Sequence, residues 1–248
     1  MEFSSHALVL RIGRFREADL WVRFLSSNRG VNTAFAFGGS KSRRRFCGCL
    51  DQLNIVNFRV RASRTGSFLY LQEGVLLRGP ARLRHDWRRY GVALNCLKFI
   101  EAFDVPADSA APAFSLATEL MDCLERDEGP AQTLPPFFRA RFAFDQGYRV
   151  DFSACASCGA SLDSTPNAFF LPTEGTVICP ACPLPNSQIL RISHEALRVF
   201  RSIRETAPPD WMRLSISPAA LRECAQAIDA FIQRHVGLMW DEGRFRRV

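Results

Sequence analysis

The chain has 248 residues, 47% of them hydrophobic and 23% charged, which are the proportions of a folded globular protein with ample core. No apolar run approaches the ~18 residues of a spanning helix, and Met1-Glu2-Phe3 does not open an export signal, so a cytoplasmic protein with no membrane partner is expected. Of the net +7, residues 1–90 contribute +11 (17 Arg/Lys against six Asp/Glu) and residues 91–190 contribute −7, so the N-terminal third is the surface expected to meet a polyanion.

Strand signals dominate the first eighty residues. His6–Ile12 and Leu20–Leu25 read as strands, the turn Ser27-Asn28-Arg29-Gly30 leads to a third over Val31–Phe37, and Gly38-Gly39 stop it. Leu53, Ile55, Val56, Phe58 and Val60 mark a fourth strand, and Phe68–Leu71 through Val75–Leu77 a fifth. Five strands with a long loop between the third and fourth match an OB-type barrel, with a five-stranded SH3-like barrel as the rival.

The long loop opens with Gly38-Gly39-Ser40-Lys41-Ser42-Arg43-Arg44-Arg45-Phe46. Two glycines allow close backbone approach, four cations can straddle successive phosphates, and two serines can donate to phosphate oxygens. The spacing is not that of a P-loop. Trp21, Phe24, Phe35, Phe37 and Phe46 interleave with Arg23, Arg29, Arg44 and Arg45, so rings that face outward can stack on unpaired bases. Alternation places Trp21 on the face opposite Leu20 and Val22, and one of those faces must be core.

From about Arg82 the apolar period changes to that of helices. Trp87, Tyr90, Leu94, Leu97, Phe99, Ile100 and Phe103 mark the first, and a second runs from about Ala113 to Glu125. Pro135-Pro136 opens a third that carries Phe137, Phe138, Phe142 and Phe144. Ser193-His194-Glu195 begins another, closed by Pro208-Pro209, and Ser217-Pro218 caps the last.

Between the third and fourth helices lie Cys155-x-x-Cys158 and Cys179-x-x-Cys182. Each pair fits a tight turn aiming two thiolates at one ion, and two such turns complete a closed tetrahedral Zn(II) site. Ala168–Leu171 and Thr176–Ile178 read as strands of the intervening ribbon. Nine cysteines without an export signal favour reduced thiols plus metal over disulfides. The other five, Cys47, Cys49, Cys96, Cys123 and Cys224, are expected to be small core or half-buried residues. Four thiolates leave no open position for a catalytic water, so the zinc is a structural cofactor.

Catalytic sets are missing. His6, His85, His194 and His235 fall in four elements without ligand spacing, and no G-x-S-x-G elbow occurs. The acidic pairs Asp127-Glu128 and Asp241-Glu242 read as solvated helix ends. The expectation is a binding protein and not an enzyme.

The order of these features resembles the RecO family of bacterial recombination-repair mediators. Ala7-Leu8-Val9-Leu10-Arg11 with Glu17-Ala18-Asp19 is similar to that family's first strand and turn. Arg29-Gly30 stands after the second strand, Gly38–Arg43 resembles its basic loop, and Ile232-x-x-His235-Val236-Gly237 resembles its closing helix. Phe15-Arg16 departs from the usual turn.

The resemblance implies an α+β chain with three parts: an OB-fold DNA-binding domain at 1–80, a helical domain at 81–248, and a zinc ribbon at 152–185 inserted in the latter. It implies a protein of DNA repair and homologous recombination that binds single- and double-stranded DNA and anneals complementary strands. With RecR, such a protein helps load RecA onto DNA coated by single-stranded-DNA-binding protein (SSB). Arg23, Arg29, Lys41, Arg43, Arg44 and Arg45 are then the candidate phosphate contacts. Arg198, Arg201, Arg204 and Arg234 are candidates for the basic rim that holds the acidic SSB tail. The alternative reading is a zinc-stapled, non-enzymatic scaffold that binds RNA or an acidic protein.

Overall fold

The computed structural model describes residues 2–126 and 129–248, and the chain divides into two compact units, residues 1–127 and 128–248. In the first, β1 (Glu2–Arg14), β2 (Leu20–Ser26), β3 (Gly30–Ala36), β4 (Ile55–Ala62) and β5 (Leu69–Arg78) form a closed barrel of order β1-β2-β3-β5-β4. β1 is long enough to pair with β4 through its first half and β2 through its second. The closing pair, β3 with β5, is parallel, Ala34 opposite Leu69 and Phe35 opposite Tyr70. This Greek-key order is that of an OB barrel, and the SH3-like alternative falls away. Register shifts in β1 after Val9 and in β4 after Ile55 and Arg59 supply the bends that closure requires.

Alternation decides which side chains fill the barrel. Val22, Phe24, Ala34, Ala36, Val56, Phe58 and Val60 are fully buried, and the rings of Phe24 and Phe58 meet at 5.5 Å. Phe46 and Cys49, from the long loop, plug the same core. Each valine or phenylalanine among them stabilises the fold by about 1.5–3 kcal/mol through burial. Leu8 and Leu25 alternate with the interior yet are also fully buried, because α1 (Trp87–Phe103) and α2 (Ala110–Arg126) pack on β1–β3. Asp86 caps α1 by accepting from the backbone N–H of Arg88 and Arg89. Trp87 does not join the apolar stripe expected of it: it starts the helix and is 77% exposed.

The second unit contains α3 (Leu134–Asp145), β6 (Asn167–Leu171), β7 (Thr176–Ile178), β8 (Leu190–Ser193), α4 (His194–Glu205), α5 (Pro208–Arg213) and α6 (Pro218–His235). It ends in a hairpin of β9 (Leu238–Asp241) and β10 (Arg244–Arg247). Phe152 stacks on Phe200 with ring centroids 4.4 Å apart, and Phe144 and Phe170 lean on Phe152. Two helix starts exchange carboxylates. Glu223 of α6 accepts from the N–H and hydroxyl of Ser193, and Glu195 of α4 accepts from the N–H and hydroxyl of Ser217. His194 and His235 each hydrogen-bond a backbone carbonyl, of Thr165 and Pro172, as structural histidines do.

Several local expectations are corrected. The ribbon sheet has a third strand, β8, paired with β6. Pro208-Pro209 open the short α5 as well as following α4, since proline suits the first helical positions. Asp241 and Glu242 lie at the hairpin turn, not at a helix end, and both pair with Arg246. Asp127 and Glu128 lie outside the described residues. Among the described residues, no helix is long and apolar enough to cross a membrane.

Candidate nucleic-acid interface and metal centre

The basic loop is tied to the turn between β1 and β2. The Asp19 carboxylate accepts from the Gly38 N–H, and Ser40 donates its hydroxyl to the Ala18 carbonyl. Ser42 accepts from the Arg45 N–H. Phe46 anchors the far end in the barrel at 3% exposure. Arg45 lies over its ring at 5.1 Å and donates to the Phe37 carbonyl at 2.6 Å. The expected phosphate donor Ser40 is therefore committed to the β1–β2 turn. A recess of about 320 Å³ lies under the loop, lined in part by Leu20, Ser42, Leu50 and Asp51.

The candidate cations separate into two kinds. Arg43 and Arg44 are exposed and make no ion pair among the described residues. Among the described residues Lys41 pairs only with Glu17, both of them exposed, a contact worth at most about 1 kcal/mol. Arg23 and Arg29 lie elsewhere. Arg23 is half-buried, bonded to Asp104, Glu101 and Thr33, so its guanidinium joins β2 to the end of α1. Arg29 lies 4.0 Å over the ring of Phe3, at the far end of β3 from the loop, about 20 Å along the strand.

Among the rings singled out from the sequence, Phe24 and Phe46 are core. Trp21, Phe35 and Phe37 point outward, and three unanticipated rings join them. Phe35 is the hub, with ring centroids 5.1 Å from Phe15, 6.2 Å from Phe68 and 6.5 Å from Tyr70. Phe37 stacks on Tyr70 at 5.6 Å. Gly13 has no Cβ, which would lie 2.3 Å from the Trp21 indole, and this lets that ring lie flat across β1. Arg11 sits over Trp21 and Arg16 over Phe15, at 5.5 and 5.4 Å. Phe15 and Phe68 occupy the β1–β2 and β4–β5 turns. A large ring in a turn, where no core is available to it, was the signal that could have found them.

The four ribbon cysteines converge. Their Sγ atoms all lie within 4.8 Å of one another, with Cys155–Cys182 at 3.9 Å, Cys158–Cys179 at 3.8 Å and Cys179–Cys182 at 3.6 Å. A tetrahedral ion with bonds of about 2.3 Å sets its sulfurs about 3.8 Å apart. Gly159 takes φ +74° to turn the chain after the first pair, and its N–H bonds the Cys155 carbonyl. Burial opposes ionisation of Cys155. Backbone N–H groups of Cys179, Cys158 and Ser157 outweigh it and hold the thiol down to about 6. Ser157 favours the Cys182 thiolate, but Cys158 and Cys179 crowd it and push it up to about 12. The site favours the thiolate at Cys155 and opposes it at Cys182, a conflict that a divalent cation relieves. The donor set therefore fits a metal ion. Of the remaining cysteines, Cys49, Cys96, Cys123 and Cys224 are buried as expected, whereas Cys47 is exposed.

The proposed tail rim is mixed. Arg198 and Arg204 on α4 and Arg234 on α6 are exposed. Arg201, between the first two, turns inward: it donates to the Phe152 carbonyl and pairs with Asp163.

Comparison with known proteins agrees with this architecture. Residues 1–80 match the family model for the N-terminal part of recombination protein O, and residues 84–242 match that for its C-terminal part. Proteins named DNA repair protein RecO are similar over the whole of both chains: 51% identical in Nitratidesulfovibrio vulgaris, 50% in Oleidesulfovibrio alaskensis and 40% in Lawsonia intracellularis. With both halves matched in order and half its residues shared with full-length relatives, the chain belongs to the recombination protein O (RecO) family of DNA repair proteins.

Proposed function

We propose that this protein is a non-enzymatic mediator of DNA repair and homologous recombination. It binds single- and double-stranded DNA through its OB barrel, anneals complementary strands, and works in the cytoplasm with RecR to load RecA onto SSB-coated DNA. The observation that carries this reading is the loop of Lys41, Arg43, Arg44 and Arg45, which Asp19 and Phe46 hold in place. Arg43 and Arg44 are exposed with no ion pair among the described residues, Lys41 meets only an exposed carboxylate there, and Arg45 bonds a carbonyl that leaves its charge unneutralised. Phosphates are the ligand such a loop lacks, and their contacts position a strand without reading its sequence. Neutralising two strands lowers their mutual repulsion, and leaving base edges unread keeps them free to pair. Annealing then needs no bond-making chemistry.

The ribbon would hold one structural zinc through Cys155, Cys158, Cys179 and Cys182, with no open coordination position. Arg198, Arg204 and Arg234 remain the exposed candidates for the acidic SSB tail, while Arg201 supports the fold beneath them.

Reversing all four loop cations to Glu tests the reading. Single-strand affinity in 0.1 M salt should fall by about 1,000-fold, and the salt slope of log K should lose roughly 0.7 per phosphate contact removed. Far-ultraviolet circular dichroism and metal content should stay unchanged. Undiminished binding by a folded variant would remove the loop from the interface.

A further inference from the structure

We infer that the start of α1 holds a second DNA strand, so that one chain presents two strands to each other. The inference rests on the annealing reading and names the surface, outside the barrel, that the second strand occupies.

The exposed residues between 81 and 91 include Arg82, Arg84, His85, Trp87 and Arg88, and no acid. The one carboxylate of that segment, Asp86, is committed to the helix: it accepts from the N–H of Arg88 and Arg89 and pairs with the Arg89 side chain. Trp87, at 77% exposure, contributes almost nothing to the core. An isolated exposed ring needs no explanation, but this one is set among cations. The Arg88 guanidinium lies 5.2 Å from its centroid and makes no ion pair among the described residues. One turn on, Gly91 leaves open space where a side chain would stand on the same side of the helix. Arg84 pairs with Asp51 at 2.7 Å, and Asp51 lines the recess under the basic loop. Both partners are exposed, so a phosphate can readily take the place of that carboxylate.

An open ring flanked by arginines suits an unpaired strand, whose base stacks on the ring while its phosphates meet the guanidiniums. The carboxylates of an acidic peptide would meet the cations and leave the indole wet. Annealing must bring two polyanions together, and the basic loop neutralises only the strand it holds. A second strand held at the root of the same loop meets the first without a second protein molecule. Stacking covers the face of a base and leaves its pairing edge free, so pairing can begin while the strand is held. One ring and a few cations make a weak hold, which lets the finished duplex leave.

The test follows annealing of two complementary labelled oligonucleotides by energy transfer, and first-strand affinity by anisotropy of a single labelled oligo-dT. Trp87→Ala/Arg88→Ala should slow annealing about 10-fold, the order of one lost stacked base. Its first-strand affinity should stay within about twofold, because the cations of the basic loop are untouched. Trp87→Phe keeps a ring and should anneal within about threefold of the unaltered protein. Quenching of tryptophan emission that continues beyond one equivalent of oligo-dT should disappear in that same variant. First-strand affinity that falls as far as annealing does would overturn the inference, making the patch an extension of the loop's own site. Unchanged annealing by the alanine variant would overturn the second-strand site alone and leave the annealing reading standing. Absence of annealing by the unaltered protein would overturn that reading and the inference with it.

Discussion

The cations of the barrel loop and those of the second unit look alike in sequence and differ in what they touch. Arg43 and Arg44 are exposed, with no ion pair among the described residues, while the loop carrying them is held by Asp19 and plugged by Phe46. In the second unit Arg139 meets Asp229, Arg141 meets Asp145 and the carbonyls of Ile203 and Thr206, and Arg201 meets Asp163 and the Phe152 carbonyl. These guanidiniums join elements of the fold, as Arg23 does in the barrel. An arginine marks an interface when its backbone is ordered and its charge is unspent. Counting cations does not separate the two cases; accounting for their partners does.

The cysteines of the ribbon provide the strongest break in that comparison, because there the chain spends its charged side chains entirely on itself. Cys158→Ala should abolish stoichiometric zinc, measured by atomic emission, and expose the amides of residues 155–182 to rapid hydrogen exchange. Structural zinc sites contribute on the order of 10 kcal/mol to small domains. Amides of the barrel core, such as those of Val22 and Phe58, should keep their protection. Unchanged zinc content in the variant would refute the four-thiolate site.

Next in size is Arg201→Ala. It leaves the Phe152 carbonyl without its side-chain donor, removes the ion pair to Asp163, and should cost about 1–3 kcal/mol of stability in denaturant melts. Duplex affinity should be unaffected, whereas Arg44→Ala should do the reverse. If Arg201→Ala weakened DNA binding while sparing stability, the division drawn above would fail.

The smallest effect belongs to Glu195. The Ser217 hydroxyl and then its N–H hold this carboxyl below the usual range. A depressed folded pKa gives stability that is present above the unfolded value and lost as pH falls through the folded one. Glu195→Gln should cost about 1 kcal/mol at pH 7 and nothing once the native carboxyl is protonated. Melting curves of the two proteins should therefore converge as the pH falls below the ordinary glutamate range and through the depressed native value. Parallel curves over that range would show that the Ser217 contact does not set the protonation of Glu195.

Much of the fold was legible because it is written in local patterns. Period-two runs marked the five strands, Ser193 and Ser217 marked helix starts, and the C-x-x-C pairs marked the metal centre. Short elements were not legible. β8 has four residues and becomes a strand only because β6 offers its edge. The β9–β10 hairpin, found where Asp241-Glu242 had read as a helix end, forms for a similar reason: strands of four residues each hold through cross-strand partners, not through propensity. The candidate site was half visible. The basic loop was evident as a charge run, but the ring cluster draws on residues 15, 21, 35, 37, 68 and 70, which only barrel closure gathers onto one face.

By itself the sequence determined the inventory: five strands before a helical region, four thiols spaced for one ion, and an excess of arginine at one end. These follow from covalent spacing and periodicity, which are properties of neighbours along the chain. Tertiary structure decided the allocation. It sent Phe24 and Phe46 inward and Phe15 and Phe37 outward, gave Arg23 and Arg201 carboxylate partners, and left Arg43 and Arg44 exposed without one among the described residues. Burial and charge pairing are relations between residues far apart in sequence, so they come into being only when the chain closes on itself.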